Sequence, residues 1–174
     1  MRNEDILKGK KILIVDDEPD ILETMEELLD MCLIDTAPSY ETAKIFLDKN
    51  RYDAAILDIM GVRGYDLLQL TNEKGVPALM LTAHALSPEN LVKSIKEGAQ
   101  SYVPKDKISH ITLFLVDILE AQERGIEKHR NWFARLKPFF DKKFGVDWRK
   151  KDKEFWEDFE KTYILTKEEL EQIM

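Results

Sequence analysis

The chain has 174 residues, 44% of them hydrophobic, and a formal net charge of −8. This length and composition predict a globular chain with one full hydrophobic core and an appendage, rather than two complete domains. A single cysteine, Cys32, excludes an internal disulfide and favours a reducing compartment, while a charged start and the lack of a long apolar run argue against secretion and membrane insertion. We therefore expect a cytoplasmic protein.

Short apolar runs alternate with amphipathic segments over the first 105 residues. Ser39 and Ser87 fit helix N-caps, and Gly75 and Gly98 fit helix C-terminal ends. Consecutive β-α units connect through right-handed crossovers, which predicts an α/β fold with a doubly wound parallel sheet. We predict strands near residues 11–16, 33–37, 53–58, 77–82 and 101–104, and helices near 19–31, 39–50, 64–74, 87–97 and from 107 onward.

The strand signals stop after residue 105, and the remaining apolar residues recur at helical intervals. We predict one long helix, or two broken near Gly125, a turn near Gly145, and a further helix from Trp148. Thr166–Glu169 matches a capping box that would start a last short helix. These helices carry more aromatic surface than an isolated hairpin can hide, so partner helices, a second copy or the surface of the preceding α/β domain must cover them.

Charge is distributed unevenly along the sequence. Residues 1–105 carry a net charge of −7, residues 124–153 carry +7, and residues 154–171 carry −5. The basic segment could pair with acidic parts of the chain itself or with a partner, and we favour pairing within the chain.

Polar side chains end four of the five predicted strands. Asp16 and Asp17 follow the first strand, Asp58 ends the third, Thr82 ends the fourth and Lys105 follows the fifth. Because the carboxyl ends of parallel strands open onto the same edge of a sheet, we expect these side chains to converge in one crevice.

The expected crevice suits phosphoryl transfer. Carboxylates held together raise their own pKa values unless a cation neutralises them, and oxygen ligands suit Mg²⁺ or Mn²⁺, so Asp16, Asp17 and Asp58 are the predicted metal ligands. Asp58 is also the predicted nucleophile, which would form an acyl phosphate. Lys105 and Thr82 would contact phosphoryl oxygens through an ammonium and a hydroxyl group, which completes the predicted catalytic set.

Residues 10–122 resemble the receiver domain of two-component response regulators, and residues 123–174 would form a helical C-terminal extension to it. The resemblance implies a flavodoxin-like (βα)5 sheet with strand order 2-1-3-4-5. It is carried by the acidic turn in Lys11–Pro19, the phosphoacceptor strand at Ile56–Asp58, the switch hydroxyl in Leu81–Ala83, and the last strand with its lysine in Gly98–Lys105.

The resemblance also implies roles for single residues. Asp58 would be phosphorylated by a sensor histidine kinase or a histidine phosphotransfer protein, with Mg²⁺ bound partly by the backbone carbonyl of Met60. Thr82 would then move toward the phosphoryl group while Tyr102 turns inward, a shift between two packings. The chain departs from the family after Asp58: if Gly64 matches the family glycine, the loop is two residues shorter.

We predict a signalling phosphoacceptor in residues 1–122, not an enzyme beyond its own phosphorylation and dephosphorylation. Residues 123–174 would form an interaction or dimerisation element, with a homodimer through these helices left open. The alternative is a DNA-binding regulator that uses the basic segment 124–153. Mixed charges over Trp148–Tyr163 disfavour nucleic acid. An output enzyme is least favoured, since no metal-ligand cluster, phosphate loop or triad follows Lys105.

Overall fold

The computed structural model describes residues 3–125 and 130–163, with side chains described for 5–125 and 131–161. Within them, five parallel strands form one sheet in the order β2-β1-β3-β4-β5. The predicted flavodoxin-like fold and strand order are therefore confirmed. The strands are β1 (Lys11–Val15), β2 (Leu33–Ala37), β3 (Ala54–Asp58), β4 (Ala78–Thr82) and β5 (Ser101–Pro104).

Helices cover the sheet and continue beyond it. They are α1 (Asn3–Leu7), α2 (Pro19–Leu28), α3 (Tyr40–Lys49), α4 (Gly64–Glu73), α5 (Pro88–Lys96), α6 (Ile111–Arg124), α7 (Arg130–Phe144) and α8 (Lys153–Tyr163), with 3₁₀ helices at Lys105–His110 and Trp148–Asp152. Helix α1 was not predicted, since five residues are too few to show a period. It packs on α6 and buries Ile6 and Leu7.

The apolar character of the central strands follows from their position. Strands β3 and β4 are buried along their whole length, because helices cover both faces of a doubly wound sheet. Ser39 and Ser87 cap α3 and α5 as predicted, each accepting a backbone N–H through its hydroxyl oxygen. The paired register aligns the strand ends, so that the side chains predicted to converge do lie at one edge of the sheet.

Helix α6 ends before the helical C-terminal extension begins. Residues 130–163 of this extension are described. Gly125 adopts a φ of +65° at the C-terminal end of α6, so of the two predicted alternatives the structure has two helices broken near Gly125 and not one long helix. Helix α6 itself runs to Arg124, two residues past the predicted domain boundary at 122. The predicted capping box at Thr166–Glu169 lies outside the described residues.

The extension folds back onto the face formed by α5, β5 and α6, here called the covered face. Its aromatic side chains form a cluster of edge-to-face and stacked rings. Contacts within the chain therefore cover these aromatic side chains, which the sequence had predicted to need covering. The buried members of this aromatic cluster are Trp132, Phe133, Phe140, Trp148, Trp156 and Phe159.

One buried ion pair joins the extension to the covered face. Arg135 of α7 donates to both carboxylate oxygens of Asp117 on α6, with Nε to Oδ2 at 2.9 Å and Nη2 to Oδ1 at 3.2 Å. Asp117 is only 4% exposed, and its burial raises its pKa although Arg135 opposes the shift. The bidentate geometry fixes the position of α7 along α6.

Candidate functional site

Two of the predicted acids, Asp16 and Asp58, meet at the ammonium group of Lys105. Its Nζ lies 3.0 Å from Asp16 Oδ2 and 3.5 Å from Asp58 Oδ1. The same nitrogen donates to Glu18 Oε1 at 2.9 Å. Asp16 and Lys105 directly follow β1 and β5, and Asp58 ends β3, so parallel pairing places all three at one edge.

Burial makes these charges costly. Asp16 is fully buried and Asp58 is 4% exposed. Burial is the main reason that the pKa of Asp58 rises to about 7, and the negative charge of Asp16 raises it further while Lys105 opposes the rise. Burial also raises the pKa of Asp16, against a hydrogen bond from the Glu18 backbone N–H to its Oδ1 at 2.9 Å. Burial disfavours the charge of Lys105, but the bonds to Glu18 and Asp16 outweigh it, so its pKa is raised.

The acidic side chains suit a divalent cation. One ligand oxygen from each of Asp16, Asp17 and Glu18 can lie within 4.8 Å of the others. Asp16, Glu18 and Asp58 share the ammonium of Lys105, and Asp17 adds a fourth carboxylate beside Asp16 and Glu18. This arrangement leaves an excess of negative charge that a cation would neutralise. An all-oxygen donor set fits Mg²⁺ or Mn²⁺.

Glu18 lies in the acidic cluster although it was not among the predicted site residues. The structure groups it with Asp16 and Asp17, whereas Asp58 joins them through Lys105. The signal in the sequence was the third acid in a row after β1. The metal set of Asp16, Asp17, Asp58 and the Met60 carbonyl stays a prediction, and the Met60 side chain is exposed.

Two glycines let the short loop after β3 approach the acids. A Cβ on Gly61, whose φ is +86°, would lie 2.3 Å from Asp17 Oδ2. A Cβ on Gly64 would lie 2.2 Å from the backbone oxygen of Asp58. Both distances are far inside van der Waals contact. The obstacle at Gly61 is a side chain that can rotate away, whereas the obstacle at Gly64 is backbone, so the absence of a side chain is needed most at Gly64.

Thr82 and Tyr102, the predicted switch residues, both form hydrogen bonds to the backbone of Ala85. The Thr82 hydroxyl oxygen accepts from the backbone N–H of Ala85 at 3.0 Å. The Tyr102 hydroxyl donates to the carbonyl of Ala85 at 2.9 Å and accepts from the N–H of Ser87 at 3.3 Å. Tyr102 is fully buried, and its ring lies 6.1 Å from that of Phe140 in α7. The tyrosine thus already occupies an inward position beneath the extension.

The family model for the response regulator receiver domain matches residues 12–114. This chain belongs to the response regulator receiver family. The match covers the five strands and the converging acids, so the residues resembling the receiver motifs lie within the family's own span.

Two response regulators resemble this chain over about 100 residues each. The heme response regulator HssR of Staphylococcus aureus (strain Newman) is 40% identical over 99 residues, which are 53% of this chain and 43% of that protein. The two-component response regulator ARR10 of Arabidopsis thaliana is 34% identical over 104 residues, or 56% of this chain and 19% of that protein. The chain thus spans less than half the length of either relative.

Solved structures of receivers share the fold. A CheY-like response regulator receiver domain protein from Methanospirillum hungatei JF-1 has a TM-score of 0.61 and 26% identity, covering 68% of this chain and 99% of that one. A putative response regulator from Chloroflexus aurantiacus J-10-fl has a TM-score of 0.57 and 29% identity, covering 64% and 98%. Within 3–125 and 130–163, no helix of this receiver is long and apolar enough to cross a membrane.

The raised pKa of Asp58 predicts a pH-dependent loss of stability. A folded-state pKa of about 7 against an ordinary value of 3.8 means that the folded receiver holds a proton the unfolded chain releases. The stabilisation is complete below about pH 4 and is lost as the pH rises through 7. When the pH rises from about 5.5 to 8.5, we expect the free energy of unfolding to fall by about 2 kcal/mol more for metal-free wild type than for metal-free Asp58→Asn.

Urea unfolding in EDTA at several pH values measures this difference. Asp16, Asp17, Glu18 and Lys105 remain in both proteins, so the comparison removes only the Asp58 carboxyl group. Parallel stability profiles for wild type and Asp58→Asn would show that Asp58 ionises normally in the folded receiver.

Proposed function

We propose that this receiver accepts a phosphoryl group on Asp58 from the phosphohistidine of a sensor histidine kinase or a histidine phosphotransfer protein. A carboxylate oxygen of Asp58 attacks phosphorus, the phosphorus–nitrogen bond of the phosphohistidine breaks, and the electron pair returns to the imidazole ring. The single observation that carries the proposal is the buried Asp58 carboxylate 3.5 Å from the Lys105 ammonium. An ammonium there can stabilise the charge on a phosphoryl oxygen.

Charge neutralisation is the part of this chemistry that a divalent cation supplies. Asp16, Asp17, Asp58 and the Met60 carbonyl would hold Mg²⁺ or Mn²⁺, with Glu18 as a further oxygen donor close to Asp16 and Asp17. A pKa of about 7 leaves a large part of Asp58 protonated at neutral pH, and a protonated carboxyl is a poor nucleophile. A cation bound by the surrounding acids would lower the pKa of Asp58 and so increase the fraction of Asp58 that is a reactive carboxylate.

The receiver would act as a signalling phosphoacceptor and not as an enzyme on other substrates. Its chemistry would be limited to phosphorylating and dephosphorylating itself. The lone Cys32, a buried free thiol, is consistent with the cytoplasm as its compartment. The covered face and the extension would carry the output to another protein or to a second copy.

The DNA-binding alternative gains no support from the extension. Basic side chains in 124–153 form ion pairs within the chain, which leaves less charge for phosphates and supports the pairing expected from the sequence. These pairs are Arg135 with Asp117, Lys137 with Asp141, Arg149 with Glu160, Lys150 with Asp147 and Lys153 with Glu157. A protein partner is therefore the preferred output.

Incubation with acetyl phosphate and Mg²⁺ tests the phosphoacceptor. We expect intact mass spectrometry to show one added phosphoryl group on the wild type and none on Asp58→Asn, because the nucleophile is gone. Asp66→Asn is the matched control: Asp66 is an exposed carboxylate bonded to Arg63 near the same loop, and its variant should be labelled like the wild type. An unlabelled wild type, or equal labelling of Asp58→Asn, would contradict the proposal.

A further inference from the structure

The extension contacts the predicted switch directly. Phe140 of α7 and Tyr102 of β5 are both fully buried, and their rings lie 6.1 Å apart at an interplanar angle of 45°. Tyr102 cannot turn toward solvent while α7 stays in place. Docking of the extension therefore fixes which way this tyrosine points.

A continuous path of contacts leads from that tyrosine to the phosphoacceptor strand edge. The Tyr102 hydroxyl holds the carbonyl of Ala85, and the N–H of the same residue is bonded to the hydroxyl oxygen of Thr82. Ala85 is thus held from both sides. Any movement of Tyr102 acts on Ala85, and through it on the position of Thr82.

The bond from Ala85 leaves Thr82 ready to act as a donor. Its hydroxyl oxygen accepts a hydrogen bond, so its own proton remains available, and no acceptor for that proton is found in the part of the chain that the structure describes. Thr82 is buried and ends β4, next to β3, in which Asp58 pairs with Leu81. A phosphoryl oxygen on Asp58 is an acceptor for such a hydroxyl. Because the bond from Ala85 already orients the Thr82 hydroxyl, binding would not require it to reorient first.

We infer that the docked extension acts as a built-in effector, which through Phe140, Tyr102 and Ala85 pre-orders Thr82 for a phosphoryl group on Asp58. The inference rests on the proposed function, because it needs Asp58 to carry the phosphoryl group. A Thr82 side chain that is already ordered loses less conformational entropy when it binds the phosphoryl group. Coupling between two sites is reciprocal, so a phosphoryl group on Asp58 strengthens docking of the extension by the same factor.

Two ion pairs join the extension to the covered face. The buried pair of Asp117 and Arg135 sets α7 on α6, and Lys96 of α5 meets Asp152 at 3.7 Å on the opposite side. Neither pair involves Tyr102. The anchors hold the extension on the covered face, while the contact between Phe140 and Tyr102 carries the coupling.

Titration of the full chain with beryllofluoride, a phosphoryl mimic, in Mg²⁺ tests the coupling by calorimetry. Phe140→Leu removes the ring that backs Tyr102, and Tyr102→Phe keeps that ring contact but deletes the bond to Ala85. We expect each variant to bind the mimic about fivefold or more weakly than wild type. Phe155→Leu is the matched control, since Phe155 lies in α8 against Trp156 and Phe159, and its variant should bind like wild type.

Hydrogen exchange gives the reciprocal readout. The mimic should slow amide exchange in α7 of wild type and of Phe155→Leu, but much less in Phe140→Leu and Tyr102→Phe. Should Phe140→Leu fail to fold, Tyr102→Phe still decides the question. Affinities within twofold of wild type for both switch variants would overturn the coupling alone, whereas a wild type that does not bind the mimic would overturn the proposed function as well.

Discussion

Replacing Arg135 with methionine is expected to destabilise the chain by about 3–5 kcal/mol. Asp117 is buried, and the Arg135 guanidinium donates to both of its carboxylate oxygens. The variant therefore leaves a carboxyl group that keeps a hydrogen bond from Asn131 but has lost its compensating charge. Its pKa is already raised by burial and would rise further. Urea unfolding at neutral pH measures the loss, and because Arg135 joins the extension to α6, a second transition could separate the two parts.

Two further variants show whether the buried pair causes that loss. Asp117→Leu combined with Arg135→Met replaces the ion pair with apolar groups and should recover most of the stability. Lys153→Met removes an exposed partner of Glu157 and should change stability by no more than about 0.5 kcal/mol. If Arg135→Met costs no more than Lys153→Met, the pair does not anchor the extension.

Gly64→Ala is expected to destabilise the receiver by about 3 kcal/mol. Gly64 is the first residue of α4, where alanine alone would favour the helix by about 0.5–1 kcal/mol. The added Cβ, however, would meet the backbone oxygen of Asp58 at 2.2 Å and the Cα of Ile59 at 2.8 Å. Both obstacles are backbone, so the loop or the end of β3 must move, and labelling of Asp58 by acetyl phosphate should fall as well.

Gly75→Ala separates this clash from the general cost of replacing a glycine. Gly75 has a φ of +71° and open space around its would-be Cβ, so alanine there should cost about 1–2 kcal/mol through backbone strain and leave labelling unchanged. A Gly64→Ala variant that is as stable as Gly75→Ala or more so would show that the loop relaxes freely.

The strand edge could be predicted from the sequence because its causes are local. An apolar run that ends in Asp58 or Lys105 gives both the strand and the position of the side chain, and parallel pairing then brings the ends together. The bond from Lys105 to Glu18 joins residues 87 positions apart and depends on side-chain reach. No spacing along the chain encodes that contact.

The extension shows the same division between local and long-range information. Apolar residues at helical intervals predicted a further helix after Trp148 with an aromatic surface to cover. Phe155 and Phe159, four residues apart, both lie in α8, and Phe159 is buried. The sequence did not decide which of three possible surfaces covers the aromatic side chains. It is selected by contacts such as Arg135 with Asp117 and Phe140 with Tyr102, which only the folded chain brings together.

The aromatic cluster also makes the molecule its own optical reporter. All three tryptophans, Trp132, Trp148 and Trp156, lie in that cluster, and the receiver portion contributes none. Ultraviolet emission excited at the indole band therefore originates from the extension alone. A red shift of this emission would record water reaching the indole rings as the extension lifts away, without any attached dye.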